Sequence, residues 1–303
     1  MNNIKTPNTA QPLVATIGFF DGVHVGHRFL IERLKQIARE KNKASAVITF
    51  PVHPRRVLND AYIPALLTSF EEKMHRLAEL SPDRLIPLDF THELSQLSAE
   101  EFIKHILVDR LHVDCLLIGY DHRFGKGRTE SFDDYAAFGK KHGSEVVRAD
   151  VYELDGIRIS SSFIRKLLLC GDIKQANRYL TYNYRLEGLV VHGRQIGKSI
   201  GFPTANIRPN DNEKVLPANG VYAVHVEVDG VRRDGMLNIG YAPTVSSDRE
   251  LTIEAHLFDF GRDIYGKPIS IEFIDYIRGE MKFANLDELK SQLAVDMEKV
   301  KGN

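Results

Sequence analysis

The chain has little that would staple it covalently or hold it in a membrane. Its 303 residues contain two cysteines, Cys115 and Cys170. Two thiols so far apart make neither a disulfide framework nor a metal motif, and both are expected as buried, reduced thiols. No apolar run approaches the roughly 18 residues needed to span a bilayer, so no membrane partner is expected. Near the N-terminus stands one lysine, Lys5, and the apolar stretch Leu13 to Phe20 is broken by Thr16 and Gly18 without a small-x-small cleavage site. A secretory leader is therefore not expected, and the cytoplasm is. An excess of charge is missing too. Before Tyr184 there are 25 basic and 23 acidic residues, and from Tyr184 on there are 15 and 18. Neither half is a basic footprint, so no nucleic-acid partner is expected. Repeats and low-complexity tracts are absent.

What is present is core material for two domains: 43% of the residues are hydrophobic and 27% charged, over a length that divides into about two units of ~150. The first half alternates short apolar runs with helical patterns. Leu13 to Ile17 reads as a buried strand, then a glycine-rich turn, then a helix with Leu30, Leu34 and Ile37 on one face. Ala46 to Phe50 and Val113 to Ile118 are further strands. Ser69 with Glu72, and Ser98 with Glu101, match the capping box that opens a helix. This order predicts an α/β fold, a parallel sheet with helices on both faces and the ligand site at the carboxyl ends of its strands. From Arg185 the pattern becomes strands: Leu186 to Val191, Gly220 to Val228, Val231 to Ile239, Leu251 to Leu257 and Ile269 to Ile277. Asp229-Gly230 marks a hairpin. The second half is expected to be a compact β-barrel closed by a terminal helix capped by Asn285, with Leu286, Leu289, Leu293, Met297 and Val300 on one face. The boundary falls near Thr181 to Arg185, giving domains 1–182 and 183–303.

Gly18-Phe19-Phe20-Asp21-Gly22-Val23-His24-Val25-Gly26-His27 joins the first strand to the first helix. Glycines let backbone approach a phosphate, and a helix N-terminus offers free N–H groups at the positive end of its dipole. His24 and His27 beside such a site would donate to phosphoryl oxygens, whose charge would raise the imidazole pKa values. That suits nucleotidyl transfer. The other readings of the pair are packed turn residues or metal ligands, and for zinc the one obvious recruit is His53.

In the second half, Gly188 to Gly193 leads into Gly197-Lys198-Ser199-Ile200-Gly201-Phe202-Pro203-Thr204-Ala205-Asn206. Gly197-Lys198-Ser199 is not a Walker motif, because the preceding glycine at the required spacing is missing. Glu254 stands inside the apolar run Ile253 to Phe260. Either it faces solvent on an edge strand or it has a chemical task, since burying it unpaired is costly.

Gly18 to His27 resembles the His-x-Gly-His signature of nucleotidylyltransferases in the form found in bacterial bifunctional riboflavin kinase/FMN adenylyltransferases, the prokaryotic FAD synthetases. Thr49-Phe50-Pro51-Val52-His53-Pro54, Gly119-Tyr120-Asp121-His122-Arg123-Phe124-Gly125 and Ile159-Ser160-Ser161-Ser162-Phe163-Ile164-Arg165 are similar to three further segments of that family. Gly201 to Asn206, Glu254 to Phe260 and Arg278-Gly279-Glu280-Met281-Lys282-Phe283 resemble its riboflavin kinase part, as do Asn219 to Tyr222 and Leu237 to Gly240. The resemblance implies ATP-dependent phosphorylation of riboflavin to FMN in the C-terminal domain and adenylylation of FMN to FAD, with release of pyrophosphate, in the N-terminal one. It implies catalytic roles for His24, His27 and Glu254, the last as general base on the riboflavin 5′-hydroxyl. It implies nucleotide or flavin contacts for Gly18, Phe20, Asp21, Gly26, His53, Asp121, Ser161, Ser162, Arg165, Gly193, Gly197, Gly201 and Arg278. Thr204 and Asn206 would hold Mg²⁺ against the ATP phosphates. The chain departs from the family at Phe19, where Asn is frequent, at Pro51 and His122, and at Thr181-Tyr182-Asn183-Tyr184, where Gly-Arg-Pro-Tyr is usual. The loops Arg208 to Asn219 and Ala242 to Glu250 are candidates to close over ligands. The oligomeric state is left open.

Overall fold

A computed structural model describes residues 11–193, 197, 201–243 and 249–302. Lys5, Lys198 to Ile200 and the middle of the loop after Ala242 lie outside the described residues. The chain divides into two compact units, the first ending at Ser161 and the second beginning at Ser162.

In the first unit, five parallel strands are ordered β3-β2-β1-β4-β5: β1 (Leu13–Ile17), β2 (Ala44–Thr49), β3 (Arg84–Pro87), β4 (Val113–Ile118) and β5 (Glu145–Arg148). Successive side chains of a strand point to opposite faces, and β1 serves two cores accordingly. Leu13, Ala15 and Ile17 pack with Phe102, Ile103, Leu107 and Tyr135. Val14 packs with Ile31, Leu34, Ile37 and Leu77. One face is thus covered by α1 (Val25–Glu40) and α3 (Phe70–Glu79). The other is covered by α6 (Phe132–Lys141) and by α5 (Ala99–Glu101), which continues as a π-helical stretch, Phe102–Arg110. Two short helices, α2 (Pro54–Leu58) and α4 (His92–Gln96), have no buried residue. Both predicted capping boxes form. A hairpin of β6 (Glu153–Leu154) and β7 (Ile157–Arg158) follows the sheet.

The second unit is a closed antiparallel barrel in the order β10-β11-β12-β9-β8-β13. Its strands are β8 (Arg185–Val191), β9 (Ala205–Pro209), β10 (Gly220–Val228), β11 (Val231–Pro243), β12 (Arg249–Leu257) and β13 (Pro268–Arg278). Asp229 and Gly230 both take positive φ, 52° and 71°, as the two-residue hairpin requires. Tyr184, Tyr222 and Phe273 are buried inside and meet edge to face or tilted. Helix α9 (Leu286–Lys301) begins at its Asn285 cap and lays Leu293, Met297 and Val300 over Phe202, Val221 and Met236.

Helices α7 (Ser161–Leu169) and α8 (Ile173–Leu180) group largely with the barrel. Ala218 N–H donates to Leu168 O, and Asn177 Nδ2 donates to Phe273 O at 2.8 Å. Two expectations are corrected. Cys170 is exposed, because it follows the last turn of α7; Cys115, on β4, is buried. Leu286 is also exposed, since the first turn of α9 precedes its contact with the barrel.

Candidate active sites in two units

The turn after β1 is strained. Phe20 and Val23 take φ of 55° and 40°, and Gly22 between them takes 79°. Left-handed backbone is unusual for any side chain and more so for a β-branched one. The buried Asp21 anchors the turn: Leu67 N–H donates to its Oδ1 at 2.9 Å, and Thr68 N–H donates to the same oxygen at 3.2 Å. Gly22 N–H donates to Thr68 Oγ1, and Ser161 Oγ donates to Asp21 O at 3.0 Å. The Asp21 carboxylate therefore holds backbone. Phe20 is buried in the core and meets His27 edge to face at 5.2 Å.

This turn delivers His24 to the N-cap of α1, where its side chain makes no capping hydrogen bond. The first-turn N–H groups keep the character of an anion site. The rings of His24 and His27 stack, with centroids 3.7 Å apart and planes 19° apart. Gly26 makes room for this, because a Cβ there would lie 3.3 Å from His24 Cε1. Nδ1 of His27 is buried without a hydrogen-bond partner among the described residues. Burial first, then the charges of His24 and Lys73, push the His27 pKa well below the ordinary imidazole value. The upward shift foreseen from sequence needs a neighbouring phosphate; the protein's own atoms act in the opposite direction.

His24, Gly26, His27, Asp121 and Ser161 line one cavity of about 240 Å³ at the carboxyl ends of β1 and β4. Asp121 pairs with Arg158 of β7 at 2.7 Å. Gly18, Phe20, Asp21 and His53 are not in its lining. His53 caps α2, its Nδ1 accepting from Arg55 N–H, and packs on Phe19 at 4.7 Å. Ser162 and Arg165 fall in the second unit on α7, where Arg165 Nη1 donates to Ser162 Oγ. Among the described residues no group of three or more His, Cys, Asp or Glu could hold a metal ion, so the zinc reading of His24 and His27 has no support. Lys73 was not foreseen. It is buried, donates to Phe50 O at 2.8 Å and lies 3.8 Å above the Phe19 ring; burial lowers its pKa to about 8. Its place in the charged run Glu71-Glu72-Lys73 reads as a solvated helix face.

In the barrel, cross-strand partners line up as Arg278, Val221, Asn238, Glu254 and Asn206. Glu254 is half-buried while its neighbours Ile253 and Ala255 are buried, so it stands on the opposite face of β12. The edge-strand reading fails because β12 is paired on both sides. Thr204 Oγ1 lies 3.2 Å from Glu254 Oε2. A Cβ at Gly193 would collide with the Asn206 amide, so this glycine gives Asn206 its place. A cavity of about 300 Å³ under α9 is lined by Gly197, Thr204, Asn238, Glu254 and Arg278. A second, of about 440 Å³, is lined by Thr204, Ala205, Phe260 and Tyr265. Thr204 is on the wall of both. Gly201 takes φ 86° in the turn before Phe202 and lines neither. Arg278 grips the buried Asp296 of α9 through Nε and Nη2, at 2.9 and 2.7 Å. Asn238 was not foreseen as a site residue; its signal is an amide between the apolar Leu237 and Ile239 of β11.

Residues 6–163 match the family model for FAD synthetase, and residues 180–302 match that for riboflavin kinase. The bifunctional riboflavin kinase/FMN adenylyltransferase of Listeria monocytogenes is 39% identical over 284 residues, 93% of this chain and 90% of the relative. That of Haemophilus influenzae is 39% identical over 292 residues, 96% and 94% of the two chains. A crystal structure described as a macrolide-efflux protein from Streptococcus pneumoniae is 31% identical and superposes with a TM-score of 0.87, covering 97% of this chain and 95% of that one. Among the described residues no helix is long and apolar enough to cross a membrane.

Proposed function

Because the chain belongs to the bifunctional riboflavin kinase/FMN adenylyltransferase family, we propose that it makes FMN and then FAD. The barrel transfers the γ-phosphoryl of ATP to riboflavin. The α/β unit transfers the adenylyl group of a second ATP to FMN and releases pyrophosphate. The observation that carries the kinase assignment is Thr204, which walls both barrel cavities with Glu254 beside its hydroxyl. Two substrates that must meet at one bond need two chambers with a shared wall. The more apolar chamber under α9 takes the flavin and the other takes the nucleotide. Glu254 is the general base that accepts the 5′-hydroxyl proton.

Thr204 and Asn206 offer neutral hard oxygens next to a carboxylate, and Gly193 leaves the Asn206 amide its room. That donor set fits Mg²⁺, which supplies charge neutralisation to the ATP phosphates when bound. Gly197 lines the flavin chamber and Gly201 turns the chain before Phe202, and Arg278 holds α9 over the same chamber. In the other unit, His24 and His27 donate to the α-phosphate oxygens at the N-terminus of α1. The phosphate charge offsets the burial that keeps His27 neutral. Ser161 and Asp121 line the same cavity. Gly18, Phe20, Asp21 and His53 shape the turn and its surroundings. We set the domains at 1–182 and 183–303, with small-molecule substrates only, in the cytoplasm.

Chromatography of products from riboflavin, ATP and Mg²⁺, and separately from FMN, tests this reading. His24→Ala and His27→Ala are expected to lower FAD formation by about 10² or more while FMN still forms. Glu254→Gln and Asn206→Ala are expected to do the reverse when FMN is supplied. Loss of both activities in either set, in a folded protein, defeats the two-site assignment.

A further inference from the structure

Lys73 and Leu77 are the buried residues of α3. A leucine there is ordinary, whereas an ammonium taken out of water is costly unless something answers its charge. The groups that touch it are neutral. Its Nζ donates to Phe50 O at 2.8 Å and lies 3.8 Å from the centre of the Phe19 ring. A carbonyl and an aromatic face orient a cation without cancelling it. The carboxylate whose field reaches Lys73 is that of Asp21, and it already accepts from Leu67 N–H and Thr68 N–H.

One short segment therefore holds the turn after β1 from two sides. Leu67 and Thr68 bind Asp21, and Gly22 N–H donates to Thr68 Oγ1. Lys73, on the same segment, sits against Phe19 and fastens Phe50, just past β2. Thr49 Oγ1, at the end of β2, donates to Phe19 O at 3.2 Å. β1 and β2 are parallel neighbours, so the ammonium is fixed at the carboxyl ends of both.

That sets a charge behind His27. Lys73 is not in the lining of the cavity that holds His24 and His27, yet its field is one of the causes that lower the His27 pKa. Two positive charges oppose each other, so the free site keeps its charge on the lysine, where the backbone fixes it, rather than on the ring. A phosphate at the N-terminus of α1 attracts both. The anion supplies what the fold withholds from Lys73.

We propose that Lys73 is a positioning residue of the adenylyl-transfer site, a fixed positive charge behind His27 whose counter-ion is the phosphate chain of ATP. The proposal rests on the adenylyltransferase reading of this unit. Because Lys73 acts across the turn without touching substrate, its loss is expected to cost about tenfold in kcat/KM for ATP, less than the roughly 10² or more of a donor in contact.

FAD formation from FMN by the whole chain, with ATP varied at pH values from about 7 to about 9.5, reads this out. Lys73→Met keeps the length of the side chain and removes the charge. Its kcat/KM for ATP is expected to be about tenfold lower at pH about 7. In the unaltered chain the same quantity is expected to fall as pH rises past about 8, where Lys73 gives up its proton, and to level at the Lys73→Met value. The titratable groups facing Lys73 are Asp21 from the turn and His27 from α1. Both remain in Lys73→Met, which is expected to lack the step. NMR titration of the ligand-free chain gives a second reading: the His27 pKa is expected to rise in Lys73→Met, because a positive neighbour is gone. An unchanged kcat/KM in Lys73→Met, or no step near pH 8 in the unaltered chain, overturns the proposal. So does a loss of rate with the His27 titration unmoved, which marks Lys73 as packing only. The pH step is read in the unaltered chain, so misfolding of Lys73→Met does not mask it. Failure of the adenylyltransferase reading looks different: the unaltered chain makes no FAD from FMN. In that event the His27 titration still reports whether Lys73 governs its charge.

Discussion

His27 carries a pH consequence that follows from its surroundings. Its folded pKa lies below the unfolded value because burial and the nearby His24 and Lys73 disfavour a proton. The unfolded chain therefore binds that proton first as pH falls below about 6.5. The stability contributed by the neutral ring is complete above this value and is lost as pH drops through the lowered pKa. His122, pushed by burial to about 4, acts in the same direction. Unfolding midpoints recorded between pH about 7 and 4 are expected to fall less steeply in His27→Gln than in the unaltered chain. An identical slope would show that His27 is not buried neutral. Histidines 24 and 27 were legible because strand, glycine turn and helix are written consecutively around them. Lys73 was not, since a lysine among glutamates looks solvated until the fold turns it beneath Phe19. Asn238 was missed for the opposite reason: only the register between β11 and β12 brings it beside Glu254.

At the level of elements, the end of α8 shows what one departure from the family does. Thr181, standing where relatives usually have glycine, takes φ 69° as the C-cap of that helix. A left-handed C-cap favours glycine, and a branched side chain there is strained. Thr181→Gly is expected to stabilise the chain by roughly 0.5–1 kcal/mol, the relief of strain less the added freedom of the unfolded glycine. A higher denaturant midpoint at unchanged slope would register it; no shift would mean the turn has relaxed around the threonine. Strands β1, β4 and β10 were legible at their observed limits because each is a continuous or alternating apolar run with a clear stop. β3 and β5 were not. Each has four residues with two central apolar positions, and each lies at an edge of the sheet, where one neighbour suffices. β9 was hidden inside the Pro-Thr-Ala-Asn motif, whose chemistry distracts from its geometry.

For the whole molecule, the two proposed reactions are joined only by a product that both sites recognise. A chain carrying His24→Ala mixed with a chain carrying Glu254→Gln is expected to turn riboflavin into FAD, although neither does so alone. FAD appearing after a lag that shortens with protein concentration would show FMN crossing through solvent. Accumulated FMN without FAD would show that it does not reach the second chain.

The barrel closes unevenly. β10 and β11 share nine register pairs, whereas β9 and β12 share two, Glu254 with Asn206 and Ala255 with Ala205. The shortest seam in the wall is thus the place where the kinase substrates are proposed to meet. Any ligand that bridges Thr204, Asn206 and Glu254 laces that seam, so filling the site and holding the barrel shut are thermodynamically linked, each bound species adding to the work of parting the wall as the logarithm of one plus its free concentration over its Kd.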